Sequence, residues 1–388
     1  MHLVYTIDHI GNGGAQRQAV ELAAHLRESE GWRVSFVVYR EADFYGDRLR
    51  ESGVPVIHVP KPYKYDPRLP RRMRRWLQSN PADVVHSFLP WSCMWGHLAV
   101  RGIGPAERPA FIAADRSTVS ELRTLDRRVA RFVYLRSDAV TANSQQSAEE
   151  IHRTFGVRRE RIHYIPNGID LERWDRASRE EAPFVLEPGC FHLAVIGGLR
   201  PEKNHGLVVD ALREVGLERI RNWRVWFIGH EPLGPQFADD LRRHVAESGL
   251  DGIVQIVPPT LRIAAVMRHL DGVLLPSSFE GSPNVVLEAM ASGVPVVASR
   301  VGDVPNMAES GLTGLLLDRL NASELARAIM TLDEMGPSER AAMGGRARER
   351  VEKRYTLALA AARYRELYFS LRDLRSPNET AGNGTGST

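Results

Sequence analysis

The sequence has few of the features that mark secreted, membrane-spanning or redox-active proteins. Its 388 residues include two cysteines, Cys93 and Cys190, which lie far apart and lack the spacing of a metal or redox site. No uninterrupted apolar run approaches the roughly 18 residues that a transmembrane helix needs. The chain enters a strand pattern at Leu3 without a secretory leader before it. We therefore expect a cytoplasmic protein whose thiols stay reduced.

Signals for metal and nucleic-acid binding are scarce as well. There is no Asp-x-Asp string and no pair of His or Cys residues at ligand spacing, so we expect neither a metal nor another cofactor. Residues 1–170 carry 25 Lys and Arg against 19 Asp and Glu, which makes the first half of the chain basic. These basic residues are not interleaved with aromatic ones, which argues against nucleic acid. We expect this half to face an anionic partner of another kind.

Strand-like and amphipathic helical patterns alternate along most of the chain. This alternation predicts an α/β fold of doubly wound parallel sheets, with the functional edge at the carboxyl ends of the strands. The length favours two domains, which would have a cleft between them. We expect a first domain over 1–170, a linker over 171–189, a second domain over 190–355, a helix over 356–375 and a disordered tail over 376–388.

The stretch from Pro276 to Ser299 is the most informative part of the sequence. Its pattern predicts a strand end, a tight loop, a short helix and another strand. Ser282 can cap this helix, Pro283 suits its first position, and Gly293 suits the residue beyond its end. The loop and the helix N-terminus should then lie at the functional edge of the second sheet.

Two carboxylates belong to this element. The helix from Val285 to Ala291 is apolar on every face except at Glu288, and burying a single acid is costly unless it is partnered. Glu280 lies in the loop that opens the same helix. Carboxylates accept hydrogen bonds from sugar hydroxyls and a helix N-terminus can hold phosphate, so the element suits a nucleotide-sugar. On the spacing alone, an ordinary crossover with Glu288 paired to an arginine explains the pattern equally well.

Two cations follow the strand pattern His192–Ile196. Arg200 and Lys203 lie in the loop after it, at the same sheet edge as Glu280. An arginine can bind a diphosphate through two hydrogen bonds, and a lysine supplies a compact positive charge. Taken alone, they are more simply explained as two solvated loop cations. The neighbouring carboxylates favour the diphosphate, because sugar transfer requires the departing negative charge to be neutralised.

The first domain offers weaker candidates. The loop Gly11–Ala15 lies between a strand and a helix, but its spacing is not that of a dinucleotide-binding loop. Tyr39 or Arg40 also stands where an acidic ribose ligand is expected. His86 ends a strand pattern and is a candidate for the acceptor side, although a lone histidine is more often structural.

Three strings resemble a known family. The frame Pro-Ser-x-x-Glu-Gly-x-Pro-Asn-x-x-x-Glu-Ala-Met-Ala-x-Gly-x-Pro-Val-Val, from Pro276, resembles the signature of the family 4 retaining glycosyltransferases, which have the GT-B fold. Gly-x-x-Arg-x-x-Lys-Asn, from Gly197, resembles their pyrophosphate loop, and Gly-Gly-Ala-x-Arg, from Gly13, resembles their first loop. The resemblance implies that Glu288 holds the ribose and Glu280 the sugar. The donor-binding residues that it implies are Gly13, Gly14, Arg200, Lys203, Glu280, Gly281, Asn284, Val285 and Glu288, with Glu280, Arg200 and Lys203 as the catalytic residues.

The sequence departs from this family in two places. The family commonly has a histidine near the transferred sugar at the end of one strand, where this chain has Asp115 or Arg116. Both join His86 as candidates for the acceptor side, and a mechanism that needs that histidine is in doubt. Asn306 stands where a glutamate is usual. The resemblance also implies that the last helix crosses back onto the first domain.

These features lead to one hypothesis and two rivals. We expect a metal-independent, retaining glycosyltransferase that moves a hexose or N-acetylhexosamine from a UDP-sugar to a hydroxyl acceptor, such as a lipid-linked glycan or a cell-surface polysaccharide precursor. A sugar-nucleotide epimerase of the same fold would use the same donor contacts but would need no acceptor site. A non-catalytic nucleotide-binding module would not require Glu280 or Lys203.

The predicted helix Arg68–Gln78 is strongly basic. It places Leu69, Met73, Trp76 and Leu77 on one face and five arginines around the rest. One interpretation is an ordinary surface helix whose apolar face packs on the first sheet. The other is a helix that docks on the anionic inner face of a membrane, where each basic residue contributes about 1 kcal/mol.

Overall fold

The computed structural model describes residues 1–63, 65–116, 122–231 and 233–374. They form two compact units. Within these ranges, unit 1 comprises 1–143, 147–165 and 360–374, and unit 2 comprises 144–146 and 166–359. Each unit contains a parallel sheet with helices, which confirms the predicted fold of two Rossmann-like domains. The predicted disordered tail lies outside the described residues.

Unit 1 is built on a seven-stranded parallel sheet. Its strands are β1 (His2–Thr6), β2 (Arg33–Val38), β3 (Val56–His58), β4 (Val84–Phe88), β5 (Ala110–Asp115), β6 (Ala139–Ala142) and β7 (Ile162–Tyr164). Their order is β3-β2-β1-β4-β5-β6-β7. The order reverses between β1 and β4, which is the point where open α/β sheets usually bind ligands.

Helices cover both faces of this sheet. They are α1 (Gly14–Glu30), α2 (Gly46–Glu51), α3 (Leu69–Ser79), α4 (Pro90–Arg101), α5 (Thr124–Tyr134) and α6 (Gln145–Phe155). Side chains of α1 and α2 pack with Leu3 and Tyr5 of β1 on one face. Side chains of α3 to α6 pack with Val4 on the other face. This division follows from the alternation of side chains along a strand.

Unit 2 has a six-stranded parallel sheet with the order β10-β9-β8-β11-β12-β13. Its strands are β8 (Phe191–Ile196), β9 (Trp223–Ile228), β10 (Val254–Val257), β11 (Gly272–Leu275), β12 (Val296–Ser299) and β13 (Leu315–Leu317). Its helices are α7 (Leu171–Ala177), α8 (His205–Val215), α9 (Pro235–Glu247), α10 (Ile263–Met267), α11 (Asn284–Ala291), α12 (Val304–Met307), α13 (Ala322–Glu334) and α14 (Gly336–Arg354). The strands are rich in Val, Leu and Ile because helices bury both faces of the sheet.

The last helix, α15 (Leu357–Asp373), completes the core of unit 1. Its apolar side chains, among them Tyr364 and Leu367, pack with those of α1 and β1. Tyr368 is fully buried, and its hydroxyl lies 2.9 Å from the Tyr5 hydroxyl and 2.8 Å from Nδ1 of His86. A polar network in the core is thus satisfied by a residue from the far end of the sequence.

The segment 171–189 differs from the predicted linker. It belongs to unit 2 and begins with α7, whose first turn is capped by Asp170 through a hydrogen bond from the Arg173 amide. Trp174 is buried, and its indole N–H donates to Ser292 Oγ at 2.9 Å. Phe184 stacks on Trp226 with ring centroids 4.5 Å apart. Trp174 and Phe184 thus attach this polar segment to unit 2. The composition of the segment did not predict these contacts.

The start of α11 also differs from the prediction. The helix begins at Asn284, so Pro283 is the residue that precedes it and not its first residue. Ser282 does not cap the helix; its hydroxyl lies 3.9 Å from Met307 Sδ. Pro283 has a φ of −73°, which a helix would also accept, but a ψ of 115°, which is extended, so the helix begins one residue later than expected.

We predict that Tyr368 contributes strongly to the free energy of unfolding, although it lies near the end of the chain. Replacing a fully buried aromatic residue by alanine should cost about 3–5 kcal/mol, and Tyr368→Phe should cost less because only the hydroxyl is lost. The measurement is denaturant-induced unfolding of unit 1. Leu359→Ala, an exposed position on the same helix, is the matched control. Equal effects of Tyr368→Ala and the control would contradict this packing.

Candidate functional site

The candidate site lies at the carboxyl edge of the sheet in unit 2. Strands β8 and β11 are neighbours there, and each is followed by a loop that carries charged residues predicted from the sequence. The β8 loop comprises 197–204, and the β11 loop comprises 276–283. Because the strands are parallel, both loops leave the same edge of the sheet.

Hydrogen bonds hold these two loops together. Asn204 has a left-handed backbone conformation, with φ of 51°. Its side-chain amide donates to the carbonyl of Pro276 and to Ser278 Oγ, both at 2.8 Å. The Ser278 amide donates to the carbonyl of Glu202 at 2.8 Å. Asparagine tolerates this conformation better than most residues, so one side chain shapes the β8 loop and also joins it to the β11 loop.

The joined loops bring Lys203 and Glu280 into direct contact. The ammonium of Lys203 lies 2.5 Å from Glu280 Oε1, and the two side chains are 17% and 14% exposed. The Ser277 hydroxyl donates to the same oxygen at 2.7 Å. From the sequence, both residues were predicted to lie at one edge of the sheet, with Lys203 binding the diphosphate and Glu280 the sugar. The structure shows that each stabilises the other, and removing one would leave a largely buried charge without its partner.

Arg200 is the more accessible cation of the site. Its side chain is 48% exposed, and its guanidinium lies 3.7 Å from Glu202 Oε1. An exposed ion pair at that distance holds an arginine only weakly. The guanidinium therefore remains available to an anionic group that reaches the sheet edge.

The backbone of Glu280 and Gly281 is fixed by the loop that follows β12. Gly302 has a φ of 55°, and a Cβ atom there would lie 2.3 Å from the Glu280 carbonyl oxygen and 2.1 Å from that of Gly281. The Asp303 amide donates to the Gly281 carbonyl at 2.8 Å. Asn306, which replaces the usual glutamate, donates to Asp303 Oδ1 at 2.9 Å. This departure from the family pattern thus supports the loop that carries Glu280.

Helix α11 carries the other predicted residues of the site. Glu288 is 5% exposed and is flanked by buried apolar neighbours, as its sequence predicted. Val285 is also buried in the first turn. The Asn167 side chain donates to Asn284 Oδ1 at 2.8 Å and to the Ser282 carbonyl at 3.0 Å. Asn167 therefore positions the start of α11.

Four supporting residues were missed by sequence reasoning. Asn204, Ser277, Asn167 and Gly302 orient the charged groups but carry no charge themselves. Short polar residues and glycines are common in every loop, so their composition gave no signal. The left-handed conformation at Asn204 is the one feature that its residue type could have indicated.

The predicted residues of unit 1 occupy different environments. Gly13 has an extended backbone and precedes α1, which begins at Gly14. His86 is fully buried, and its ring nitrogens contact Tyr368 and Thr141 at 2.8 and 3.3 Å. Burial lowers the pKa of His86 well below its usual value, with a smaller contribution from the Arg116 charge. The structure therefore places His86 in the core and not on an acceptor-binding surface.

Asp115 and Arg116 lie at the end of β5. Asp115 is also buried, and it accepts a hydrogen bond from the Tyr134 hydroxyl at 2.9 Å. Arg116 is only half-buried and donates to the Tyr364 hydroxyl at 2.8 Å. Of the three acceptor-side candidates, Arg116 alone reaches the surface.

His205, which opens α8, behaves as a core residue. Neither ring nitrogen has a hydrogen-bond partner, and the ring packs edge-on against Phe227. Burial, and to a lesser extent the charge of Lys203, lower the pKa of His205 to about 4. The imidazole is therefore neutral near pH 7.

The described residues contain no cluster of three or more His, Cys, Asp or Glu side chains that could hold a metal ion. Within the same ranges, no helix is both long and apolar enough to span a bilayer.

Two family models and several solved structures are similar to this chain. The family model described as Glycosyltransferase Family 4 matches residues 12–173, and that described as Glycosyl transferases group 1 matches residues 190–334. The structure of Anabaena HepE in complex with UDP-glucose has a TM-score of 0.82 at 20% identity, covering 95% of this chain and 100% of that one. A glycosyltransferase from Rickettsia africae has a TM-score of 0.80 at 16% identity, covering 97% and 99%.

Curated relatives show the same relationship. A D-inositol 3-phosphate glycosyltransferase of Pseudarthrobacter chlorophenolicus is 34% identical over 208 residues, which are 52% of this chain and 49% of that protein. The chain thus spans about half the length of the curated relatives it matches at this level. Putative glycosyltransferase EpsF of Bacillus subtilis is 24% identical over 83% of this chain and 84% of its own length.

The two parallel-sheet units and the likeness to HepE show that the chain has the GT-B class of fold. Within that class, the chain belongs to the family 4 glycosyltransferases.

We predict that Gly302 is required for the position of Glu280. Gly302→Ala combines backbone strain with a steric overlap, so it should lower stability beyond the roughly 1–2 kcal/mol of left-handed strain alone. Gly311→Ala is the matched control, because Gly311 also has a positive φ but no atom lies near its Cβ position. Thermal unfolding measures the stability of both variants. If Gly302→Ala and Gly311→Ala behave identically, the close approach of position 302 to the carbonyl oxygens of Glu280 and Gly281 is unimportant.

Proposed function

We propose that the chain is a retaining glycosyltransferase that moves a hexose or N-acetylhexosamine from a UDP-sugar to a hydroxyl group. The observation that carries the proposal is the set of charges on adjacent strand ends of unit 2. Lys203 and Arg200 suit a diphosphate, and the carboxylates of Glu280 and Glu288 suit hydroxyl groups of a sugar and a ribose. Family membership supports the same conclusion. HepE, a structural neighbour, was solved with UDP and with UDP-glucose, which favours a uridine donor.

In this proposal, Arg200 and Lys203 bind the donor diphosphate together with backbone amides at the start of α11 near Gly281, Asn284 and Val285. Lys203 then exchanges part of its contact with Glu280 for a phosphate oxygen. Glu280, released in part, accepts a hydrogen bond from the sugar near its reacting carbon. Glu288 accepts hydrogen bonds from the ribose.

The proposed reaction replaces one bond at the anomeric carbon and keeps the configuration. The acceptor oxygen attacks on the face from which the diphosphate departs. The bond from the anomeric carbon to the diphosphate oxygen breaks, and that oxygen takes the proton of the acceptor hydroxyl. Fixed positive charges that face the departing oxygen stabilise the charge that develops on it. In this scheme Arg200 and Lys203 perform the neutralisation that a divalent ion performs in metal-dependent enzymes.

We predict that the two glutamates have separable effects. Glu280→Gln should lower kcat with UDP affinity largely kept, because it alters a contact made near the reacting carbon. Glu288→Ala should mainly weaken UDP binding. Steady-state transfer from labelled UDP-sugars, with calorimetry of UDP, measures both effects, and the exposed Glu247→Gln on α9 is the control. Negligible effects from both substitutions would rule out the site, and an epimerised donor without transfer would identify an epimerase.

We predict that transfer does not require a divalent ion. Activity measured in excess EDTA should equal that of untreated protein, whereas Arg200→Ala should reduce it by roughly 100-fold or more. Loss of activity in EDTA with recovery on adding Mg²⁺ or Mn²⁺ would contradict the proposed charge neutralisation.

The acceptor is proposed to be a lipid-linked glycan, reached by peripheral contact with an anionic membrane. Helix α3 is more strongly tied to unit 1 than its sequence indicated. Leu69, Met73 and Leu77 are buried. Arg72 donates to Asp66 and to the Pro60 carbonyl, and Arg74 donates to the Leu98 and Ala99 carbonyls. The apolar face of α3 therefore packs within unit 1, and Arg72 and Arg74 make hydrogen bonds there.

The remaining arginines support contact with a membrane. Arg71 and Arg75 of α3 are exposed, as are Arg127, Arg128 and Arg131 of α5. Helix α4 packs between α3 and α5, so these cations lie on one helical layer. Leu125 of α5 is also exposed, as is Tyr65, whose ring centroid lies 4.9 Å from that of Trp91 in α4. Exposed aromatic and basic side chains together are typical of membrane-surface contacts.

We predict salt-sensitive binding to anionic vesicles. The chain should co-sediment with phosphatidylserine-containing vesicles at low salt and less at high salt, because surface charges are screened. Arg71→Gln with Arg75→Gln should reduce binding, while Arg179→Gln with Arg213→Gln, two exposed arginines of unit 2, should not. Binding that is absent, or that both pairs reduce equally, would favour a soluble acceptor.

A further inference from the structure

A second loop lies beside the β8 loop at the edge of unit 2. Strands β8 and β9 are neighbours, and their pairing continues past both strand ends. The Gly197 amide donates to the Ile228 carbonyl at 2.9 Å, and the Leu199 amide donates to the His230 carbonyl at 2.8 Å. A Cβ atom at Gly229 would lie 1.8 Å from the Gly197 carbonyl oxygen, so this close approach requires glycine. The backbone of His230 is thus fixed relative to the loop that carries Arg200.

The imidazole of His230 covers the backbone of Gly198. A Cβ atom at Gly198 would lie 3.0 Å from its Cε1, 3.3 Å from Nε2 and 3.4 Å from Nδ1. The ring is half-buried, and neither ring nitrogen has a hydrogen-bond partner among the described residues. Burial, and then the positive charge of Arg200, lower the pKa of His230. The imidazole is therefore mostly neutral near pH 7 and presents one N–H donor.

The acidic side chains on the neighbouring loops have other partners. Glu231 accepts a hydrogen bond from Arg242 of α9 at 2.8 Å. Glu202 lies 3.7 Å from Arg200, and Glu280 is paired with Lys203. Of the two cations on the β8 loop, Lys203 is paired with Glu280 and Arg200 is only weakly paired with Glu202. A diphosphate that reaches this edge would find the Arg200 guanidinium and an imidazole N–H as hydrogen-bond donors.

We propose that His230 donates a hydrogen bond to the diphosphate of the nucleotide-sugar and is a third diphosphate-binding residue beside Arg200 and Lys203. The inference rests on the proposed function, because it takes a nucleoside diphosphate as the donor. The residue was not selected from the sequence, since a histidine after a strand is common and its neighbour Arg200 lies in the loop after another strand. Its role is binding of the phosphates and not proton transfer to the sugar.

The test compares ligands with and without the diphosphate. UDP affinity is measured by calorimetry, and uridine affinity by ligand-observed NMR, for the wild type, His230→Ala, His230→Phe and His230→Gln. Losing a hydrogen bond to a charged group should weaken UDP binding about tenfold in the first two variants. His230→Gln should retain much of the affinity because the amide can donate. Uridine affinity should be unchanged in all three. The exposed His269→Gln is the control, and thermal unfolding checks that each variant is folded.

Several results would overturn the proposal. Wild-type UDP affinity in His230→Phe would do so, because phenylalanine fills the space above Gly198 without an N–H. Equal losses for UDP and uridine would indicate a structural role, as would a His230→Gln variant no better than His230→Ala. Failure of the proposed function is distinguishable, since Arg200→Ala would then also leave UDP affinity unchanged. If Arg200→Ala weakens UDP binding and the His230 variants do not, only this inference fails.

Discussion

The site in unit 2 depends on the attachment of the β8 loop to the β11 loop. The side-chain amide of Asn204 bridges the two loops, and that bridge brings the ammonium of Lys203 to the carboxylate of Glu280. A largely buried ion pair is stable only when its geometry is well maintained. The positions of Lys203 and Glu280 therefore depend on how the two loop backbones are held against each other. A change in either loop would move both residues.

The sequence was sufficient to locate this site because its charged residues follow strands. Alternating strand and helix patterns place such loops at one edge of a parallel sheet, so Arg200, Lys203 and Glu280 could be assigned to that edge without a structure. The contact between Lys203 and Glu280 could not be predicted in the same way. It requires β8 and β11 to be neighbours, although β9 and β10 lie between them in the chain. Strand order depends on the packing of the whole sheet.

The environments of His86 and of the segment 171–189 also have long-range causes. His86 ends a strand, as a site residue would, but its partner Tyr368 lies 282 residues later in the chain. No local pattern shows that such a partner exists. The segment 171–189 looked like a linker because its composition is polar. Trp174 and Phe184 attach it to unit 2 through contacts with Ser292 and Trp226, which are again remote in sequence.

The position of α15 in unit 1 has a consequence for how the protein is made. Tyr5 and Tyr368 share a buried hydrogen bond although 363 positions separate them. During synthesis, the amino-terminal sheet emerges from the ribosome long before the helix that fills one of its faces. Until that helix arrives, the apolar side chains of β1 and α1 are only partly covered. Exposed apolar surface of this kind is a target for chaperones and a route to aggregation. Unit 2, whose segments are almost contiguous, can complete its own core first.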